Sequence, residues 1–441
     1  MACSVIGYPL LRNPSVRHYV ATAAAEYTPM ISECVKIIAG KTIIAAVNPT
    51  SPVALVSVIF KAGPRNENYE SEGISHAIRI CAGLTTSKSS AFGIARNVQQ
   101  LGGYLTVSSE REFTSYTLKI YKNNLAPALH YLRDVSACQL FRHWEIADEI
   151  PRLRYESSTI PDNILAIELL HKAAYREGLG NSLYCPKRHI GKFGTDALNE
   201  FVSNYFTGSR CAIVSSGLSF EKLEEFACSV DASTEMCGDI PSKYHERECR
   251  KDRLSNLAHV AVAVEGSSFE NRKDCIAFAI LQKIAGHGPQ VKRGGSQTSF
   301  YKAVSQASED IFAVGAFNAV YSDSGLFGFI LNAPSKTAGS LVKAGVQWLR
   351  SLQITDEDVV RGKQNFKLDV FDTANSIQAY HNNIIHQLLF TDKIVSVEDI
   401  LCEIDSISTD DIKRVANRVS KGKIAMGAVG NLETVPYIHQ L

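Results

Sequence analysis

At 441 residues the chain is long enough for two to four domains with substantial cores. A formal net charge of +1, with 21% charged residues, excludes a protein built as a nucleic-acid binder, which carries a strongly basic surface. The longest apolar stretches, such as ALVSVIF at 54–60, fall far short of the ~18–20 residues that cross a bilayer, and the 11 cysteines contain no C-x-x-C pair, which excludes a zinc ribbon or thioredoxin-like redox pair and suits buried free thiols in a reducing compartment.

Taken in chain order, the first 25 residues contain Arg12, Arg17 and several Ser and Ala, and no acid precedes Glu26. That is the composition of a mitochondrial presequence, with cleavage after Tyr19 giving a removable segment 1–19, although Pro9 and Pro14 interrupt the amphipathic helix such a peptide needs. Residues 53–60 read as a strand and GISHAIRI at 73–80 as a helix. FTSYTLKIY at 113–121 alternates, and Leu125, Ala128, Leu129, Leu132 and Val135 recur at helical spacing. Helices are expected over 143–157 and 163–175, separated at Pro161. Polar, charged and Cys-dotted residues 228–253 read as a linker. Beyond it, 257–266 and 313–331 read as strands, with turn chemistry at Asp323, Ser324 and Gly325, and 337–351, 355–373 and 376–390 read as helices.

Two windows match without a gap: TDALNEFVSNYFTGSRCAIVSSGL at 195–218 and TDDIKRVANRVSKGKIAMGAVGNL at 409–432. Thr195 and Thr409 are candidate N-caps. Leu198, Phe201, Val202 and Tyr205 form an apolar face that Ile412, Val415, Ala416 and Val419 repeat, and Gly208 and Gly422 fall where a left-handed residue would end each helix. The repeat argues for internal duplication. The fold class is therefore α+β: two homologous domains, 30–227 and 254–441, each an antiparallel-rich sheet with helices on one side.

The sharpest chemical signal is a metal site that is incomplete. In H-x-x-E-H metallopeptidases two His at i and i+4 grip zinc, and the Glu activates water. Here His76 stands at the first position, Arg79 replaces the base and Ile80 replaces the second ligand. At ~4 Å and an effective dielectric near ~20, a guanidinium repels a dication by roughly 8 kcal/mol. Ile80 has no donor atom, and Arg79 cannot serve as a general base. His171 lacks a partner at ligand spacing, as does His143 beside Trp144, and His381 and His386 are five residues apart, about 140° round a helix. The loop at 285–295 keeps Gly286, Gly288, Gly294 and Gly295 but is interrupted by Pro289, Lys292 and Arg293, and it lacks the ending of a phosphate loop. It reads as a turn-forming surface loop.

FKAGPRNENYESEGISHAIR at 60–79, SLYCPKRHIGK at 182–192, AGHGPQVKRGGSQTS at 285–299 and FNAVYSDSGLFGF at 317–329, in this order and spacing, resemble the mitochondrial branch of the pitrilysin-type metallopeptidase family. The branch holds the subunits of the mitochondrial processing peptidase and the core proteins of complex III. The resemblance implies a clam shell of two related domains, with the first carrying a degenerate zinc motif. An active member adds a distal acid, and Glu156 lies near where it would fall, as a relic or as a plain surface Glu. The vestigial positions are thus His76, Arg79, Ile80 and Glu156, with no catalytic residue, metal or cofactor. The resemblance further implies a structural subunit on the matrix side of the mitochondrial inner membrane, held peripherally by protein contacts. Its partners would be a core protein 1 paralogue, cytochrome b, cytochrome c1 and the Rieske subunit, and it would help enclose a presequence-processing cavity. The alternative within the branch is the non-catalytic, presequence-binding subunit of the processing peptidase; the interrupted Gly loop argues against it.

Overall fold

The computed structural model describes residues 34–38, 42–47, 51–230, 238, 241–289, 298–391 and 393–441. The expected presequence, 1–19, and the loop residues Lys292, Arg293, Gly294 and Gly295 lie outside the described residues.

The first half contains strands β1 (Cys34–Ile38), β2 (Thr42–Val47), β3 (Val53–Phe60), β4 (Tyr104–Ser109), β5 (Thr114–Tyr121) and β6 (Cys211–Ser216). Its helices are α1 (Ile74–Cys81), α2 (Ala91–Gln100), α3 (Leu125–Ala137), α4 (His143–Ser158), α5 (Asp162–Tyr175), α6 (Thr195–Tyr205) and α7 (Phe220–Cys228). The second half contains β7 (Glu248–Asp252), β8 (Leu257–Glu265), β9 (His287–Gly288), β10 (Ala313–Val320), β11 (Gly325–Pro334) and β12 (Ala425–Gly430). Its helices are α8 (Arg272–Ala285), α9 (Ser299–Ser305), α10 (Ser335–Arg350), α11 (Asp356–Asn375), α12 (Ile377–Thr391), α13 (Val397–Ser406) and α14 (Thr409–Lys421).

The sheets run β1-β2-β6-β3-β5-β4 and β7-β12-β8-β11-β10-β9. Five strands correspond in order: β2-β6-β3-β5-β4 with β7-β12-β8-β11-β10. The sense of each pairing corresponds too. β2 with β6 and β7 with β12 are parallel, and the other three pairs of each set are antiparallel. The duplication read from two short windows therefore extends to both sheets, and the α+β, two-domain expectation holds.

Three details of the sequence reading are corrected. The N-caps are Gly194 and Ser408, not Thr195 and Thr409. Ser408 makes a capping box with Asp411, while the Thr195 hydroxyl donates to the carbonyl of Phe141. Gly422 has φ −64° and Gly208 is not left-handed either. Space, not backbone sign, fixes Gly422, where a Cβ would lie 2.9 Å from that of Val264. Finally, residues 248–252 of the expected linker form β7 of the second sheet. Its sequence, ECRKD, has no apolar alternation to announce it.

Each domain's own helices cover one face of its sheet. On β3, Val56, Val58 and Phe60 pack with Ile74, Leu132 and Leu198. On β8, Val260 and Val262 pack with Phe278, Leu281, Val346 and Val415. The opposite faces receive one helix each from the other half. Helix α5 lies on β12, β8 and β7, and α12 lies on β6 and β3. Leu165, Leu170 and Tyr175 pack with Ala261, Leu326 and Val429; Ile384, Ile385 and Leu388 pack with Ala45, Ile59 and Val214. This explains why β3, VALVSVIF, is apolar almost throughout, since both its faces are buried. The halves are thus clasped by reciprocal exchange of one helix.

Candidate functional site

Helix α1 carries His76, Arg79 and Ile80, and its start is fixed at two points. Gly73, the N-cap, sits at φ +95°, and a Cβ there would come within 2.5 Å of the Cys185 backbone. Glu67 then does what a capping side chain does. Its buried carboxylate accepts from the N–H groups of Gly73 (2.7 Å) and Ser75 (2.8 Å). Burial pushes this carboxyl up to about 7, against the downward pull of the two backbone N–H groups. The helix entrance is therefore held by an acid the sequence reading missed, although it lies in the acidic run ENYESE that precedes the helix.

His76 is 1% exposed, and its tautomer follows from its partners. Nδ1 accepts from the N–H of Cys185 at 3.0 Å, so the proton sits on Nε2, which donates to Glu156 Oε2 at 3.2 Å. The edge of the Tyr184 ring meets the imidazole at 5.6 Å between centroids. Glu156 projects from α4, and its Oε2 also accepts from Arg79 Nη2 at 2.5 Å, while Arg152, one turn earlier, donates Nε to Oε1 at 3.3 Å. Ile80, one turn on from His76, offers no lone pair and packs with Leu153 and Cys185.

Charge is settled by these contacts. Burial lowers His76 to about 4, outweighing the opposing pull of Glu156, so the ring is neutral at physiological pH. Glu156 is raised by burial but lowered more by the hydrogen bonds from Arg79 and His76, which hold it at about 2. The carboxylate is saturated by donors, both imidazole nitrogens are engaged, and a guanidinium occupies the position facing them. A catalytic zinc needs three lone-pair donors and an open position. Here α1 and α4 bring His76 and Glu156 together, and both are already committed. Among the described residues no group of three His, Cys, Asp or Glu is gathered for a metal.

The other sequence candidates do not join this site. His171 is buried, donates Nδ1–H to the Ile167 carbonyl and accepts from the Tyr321 hydroxyl at 2.7 Å. Its pKa is held well below the usual value, chiefly by burial. His381, on α12, lies between the hydroxyls of Ser57 (2.8 Å) and Ser216 (3.0 Å), both on the first sheet. His386 packs its ring edge-on to Phe113, and His143 contacts Trp144 on the surface. Gly286, at φ +71°, and Gly288 of β9 are the described part of the Gly loop. Asp323 does sit in the β10–β11 hairpin turn, but it is also paired with Arg65 of the first half. Arg65 binds Glu112 and donates to Ser322 Oγ at 2.6 Å, a buried polar seam that no local sequence signal announces.

Comparison with known proteins identifies the family. The pattern described as insulinase (peptidase family M16) matches residues 42–187, and that described as the peptidase M16 inactive domain matches 192–366. Cytochrome b-c1 complex subunit 2, mitochondrial, of Homo sapiens is 33% identical over 98% of this chain and 97% of its own. The chain belongs to peptidase family M16. The rat protein of the same name is 32% identical over 90% of both chains. The mitochondrial-processing peptidase subunit alpha-2 of Dictyostelium discoideum is 27% identical over 89% of this chain and 90% of its own. In fold, a chain of the structure titled "Complex III2 from Candida albicans, Inz-5 bound" matches with a TM-score of 0.78, covering 92% of this chain and 98% of that one at 17% identity. In the first of these two domains, α1 presents His76, Arg79 and Ile80, and Glu156 of α4 is hydrogen-bonded to both His76 and Arg79.

Proposed function

We propose that the chain is a non-catalytic core subunit of mitochondrial respiratory complex III, a scaffold for the assembly and stability of the ubiquinol–cytochrome c reductase. The observation that carries this is Arg79 bound to Glu156 where an active family member needs a metal and a base. A site with no metal set and no base cannot activate water, so the chain acts by shape and contact. Similarity to subunit 2 of the cytochrome b-c1 complex, over nearly the whole of both chains, supplies the assembly.

In this reading residues 1–19 are a cleaved presequence and the subunit sits on the matrix side of the inner membrane. Attachment in this reading is through protein contacts; no helix among the described residues is long and apolar enough to cross a membrane. The partners are a core protein 1 paralogue, with which it lines a presequence-processing cavity, and cytochrome b, cytochrome c1 and the Rieske subunit. His76, Arg79, Ile80 and Glu156 are then the remnant of a peptidase site.

The test is co-purification of the tagged full-length chain from mitochondria in mild detergent. Recovery of cytochromes b and c1 by their absorption bands supports the proposal. Recovery of only a soluble heterodimer that cleaves presequences refutes it and makes the chain a processing-peptidase subunit.

A further inference from the structure

Strand β7 closes one edge of the second sheet, and its side chains divide by alternation. Glu248 and Arg250 turn toward the C-terminal segment: Glu248 accepts from the Ile438 N–H, and Arg250 donates to the carbonyls of Val435 and Pro436 and lies over the Tyr437 ring. The opposite face takes Arg247, Cys249 and Lys251, followed by Arg253 just past the strand end. Helix α5 packs on this same side and brings Lys172 into the field of Cys249, together with Arg247. Lys187 comes up beside Lys251, whose ammonium is disfavoured by burial and then by Arg253 and Lys187.

Only Arg253 of this group is neutralised, by Asp162. Among the described residues Lys172, Lys187, Arg247 and Lys251 make no ion pair, and all four are exposed. In a chain of net charge +1 this is a concentrated cationic face, in which Asp162 is felt by Lys251 but is itself bound to Arg253. It adjoins an apolar feature. Leu254, in the turn after β7, is fully exposed at the rim of a cavity of about 640 Å³ whose lining includes the cation Arg253 and one carboxylate, Asp252.

We propose that this face is a docking surface for an acidic segment of a partner protein, whose carboxylates pair with Lys187, Arg247 and Lys251 and whose apolar side chains pack on Leu254. Charge complementarity selects the occupant: unpaired surface cations gain most from a partner of opposite sign, mainly in association rate and specificity. A membrane surface fits less well, because one leucine at the rim of a concave depression offers no apolar plane to bury. The proposal is independent of whether the assembly is complex III.

The experiment uses the purified full-length chain and two fluorescein-labelled peptides, an oligoglutamate and one alternating glutamate with phenylalanine. Both bind, binding weakens as salt rises, and the triple variant K187E/R247E/K251E loses about tenfold or more in affinity. The control K88E/K222E/K336E, reversing exposed lysines elsewhere, leaves affinity unchanged. Leu254→Asp removes the advantage of the phenylalanine peptide over oligoglutamate. Circular dichroism verifies that each variant is folded. Equal binding by the triple variant, or equal losses in the triple variant and the control, overturns the proposal. So does loss of binding to phosphatidylcholine–cardiolipin vesicles in the triple variant while both peptides still bind, which would make the surface a lipid site.

Discussion

Arg65 and Asp323, 258 residues apart in sequence, meet across the seam between the halves, Nη2 to Oδ2 at 2.6 Å. The same guanidinium binds Glu112, and Glu112 also accepts from the Ser322 N–H at 3.1 Å. The Arg65 and Glu112 side chains are only 5% and 9% exposed. Removing one partner of a buried pair leaves an uncompensated charge, at a cost of about 3–5 kcal/mol. Arg65→Met is expected to destabilise by that amount in urea unfolding. The triple variant R65M/E112L/D323N recovers much of it, because no orphan charge remains. A loss below about 1 kcal/mol for the single variant would show that water already screens the pair.

Gly427 on β12 is where α5 comes closest to the second sheet. A Cβ there would stand 2.3 Å from both the Ala166 carbonyl oxygen and the Leu170 nitrogen. These are backbone atoms of a packed helix and cannot swing aside. Gly427→Ala should cost about 3 kcal/mol or more, read as a fall in thermal midpoint. Gly238→Ala, at an exposed position with nothing within 4 Å, is the control and should change stability by less than about 0.5 kcal/mol. Similar effects of the two substitutions would mean that α5 is not seated on β12.

Buried histidines set the acid limb of stability. His76 and His381 are lowered by burial from an ordinary 6.5 to about 4, and His171 falls well below its usual value. The unfolded chain binds protons at these sites before the native one does. Their contribution is complete above pH 6.5 and is lost as pH falls toward 4. Glu67 works in the opposite direction. Raised from 4.5 to about 7, it favours the native state most at low pH and less as pH rises through that window. Near pH 5.5 three histidines outweigh one carboxyl by roughly two protons, a slope of roughly 2–3 kcal/mol per pH unit. Urea midpoints should therefore drop between pH 6.5 and 5, and His381→Gln should flatten the drop. A midpoint independent of pH over this range would contradict the burial of these rings.

Zinc tests the spoiled site directly. Elemental analysis of the purified chain should show no stoichiometric zinc, and Arg79→Ala should not change that, because Ile80 still offers no lone pair. The double variant R79E/I80H places a second imidazole on the α1 face of His76, one turn on, near a carboxylate already 3.2 Å from it. It should take up about one zinc per chain with three protein ligands. A folded double variant that stays metal-free would show that helices α1 and α4 no longer hold a metal's geometry.

Much of this was legible in the chain. The alternation of 113–121 became β5, and the apolar spacing from Leu125 became α3, because each pattern has one face to bury and one solution that buries it. The windows at 195 and 409 revealed the duplication since a helix–turn–strand unit is coded locally. The sequence of β7 reads as linker, because a short charged edge strand is held by its neighbour β12 and not by its own pattern. At the site, His76, Arg79 and Ile80 are neighbours in sequence, and their residue types alone fall short of a zinc peptidase's second ligand and base. Glu67 and Cys185 went unread. Their roles depend on a carboxylate and an amide reaching α1 from separate loops.

By itself, then, the sequence determined that two copies of one α+β plan exist and that the first copy lacks the donors for a catalytic metal, because periodicity and side-chain chemistry are properties of short stretches. Only the tertiary structure decided that α5 and α12 trade sheets, that Glu156 is saturated by Arg79, Arg152 and His76, and that Arg65 closes the seam on Asp323. An amphipathic helix records that it needs an apolar surface but not which one, and a charged side chain does not record its partner. Both are settled when distant segments compete for the same buried volume.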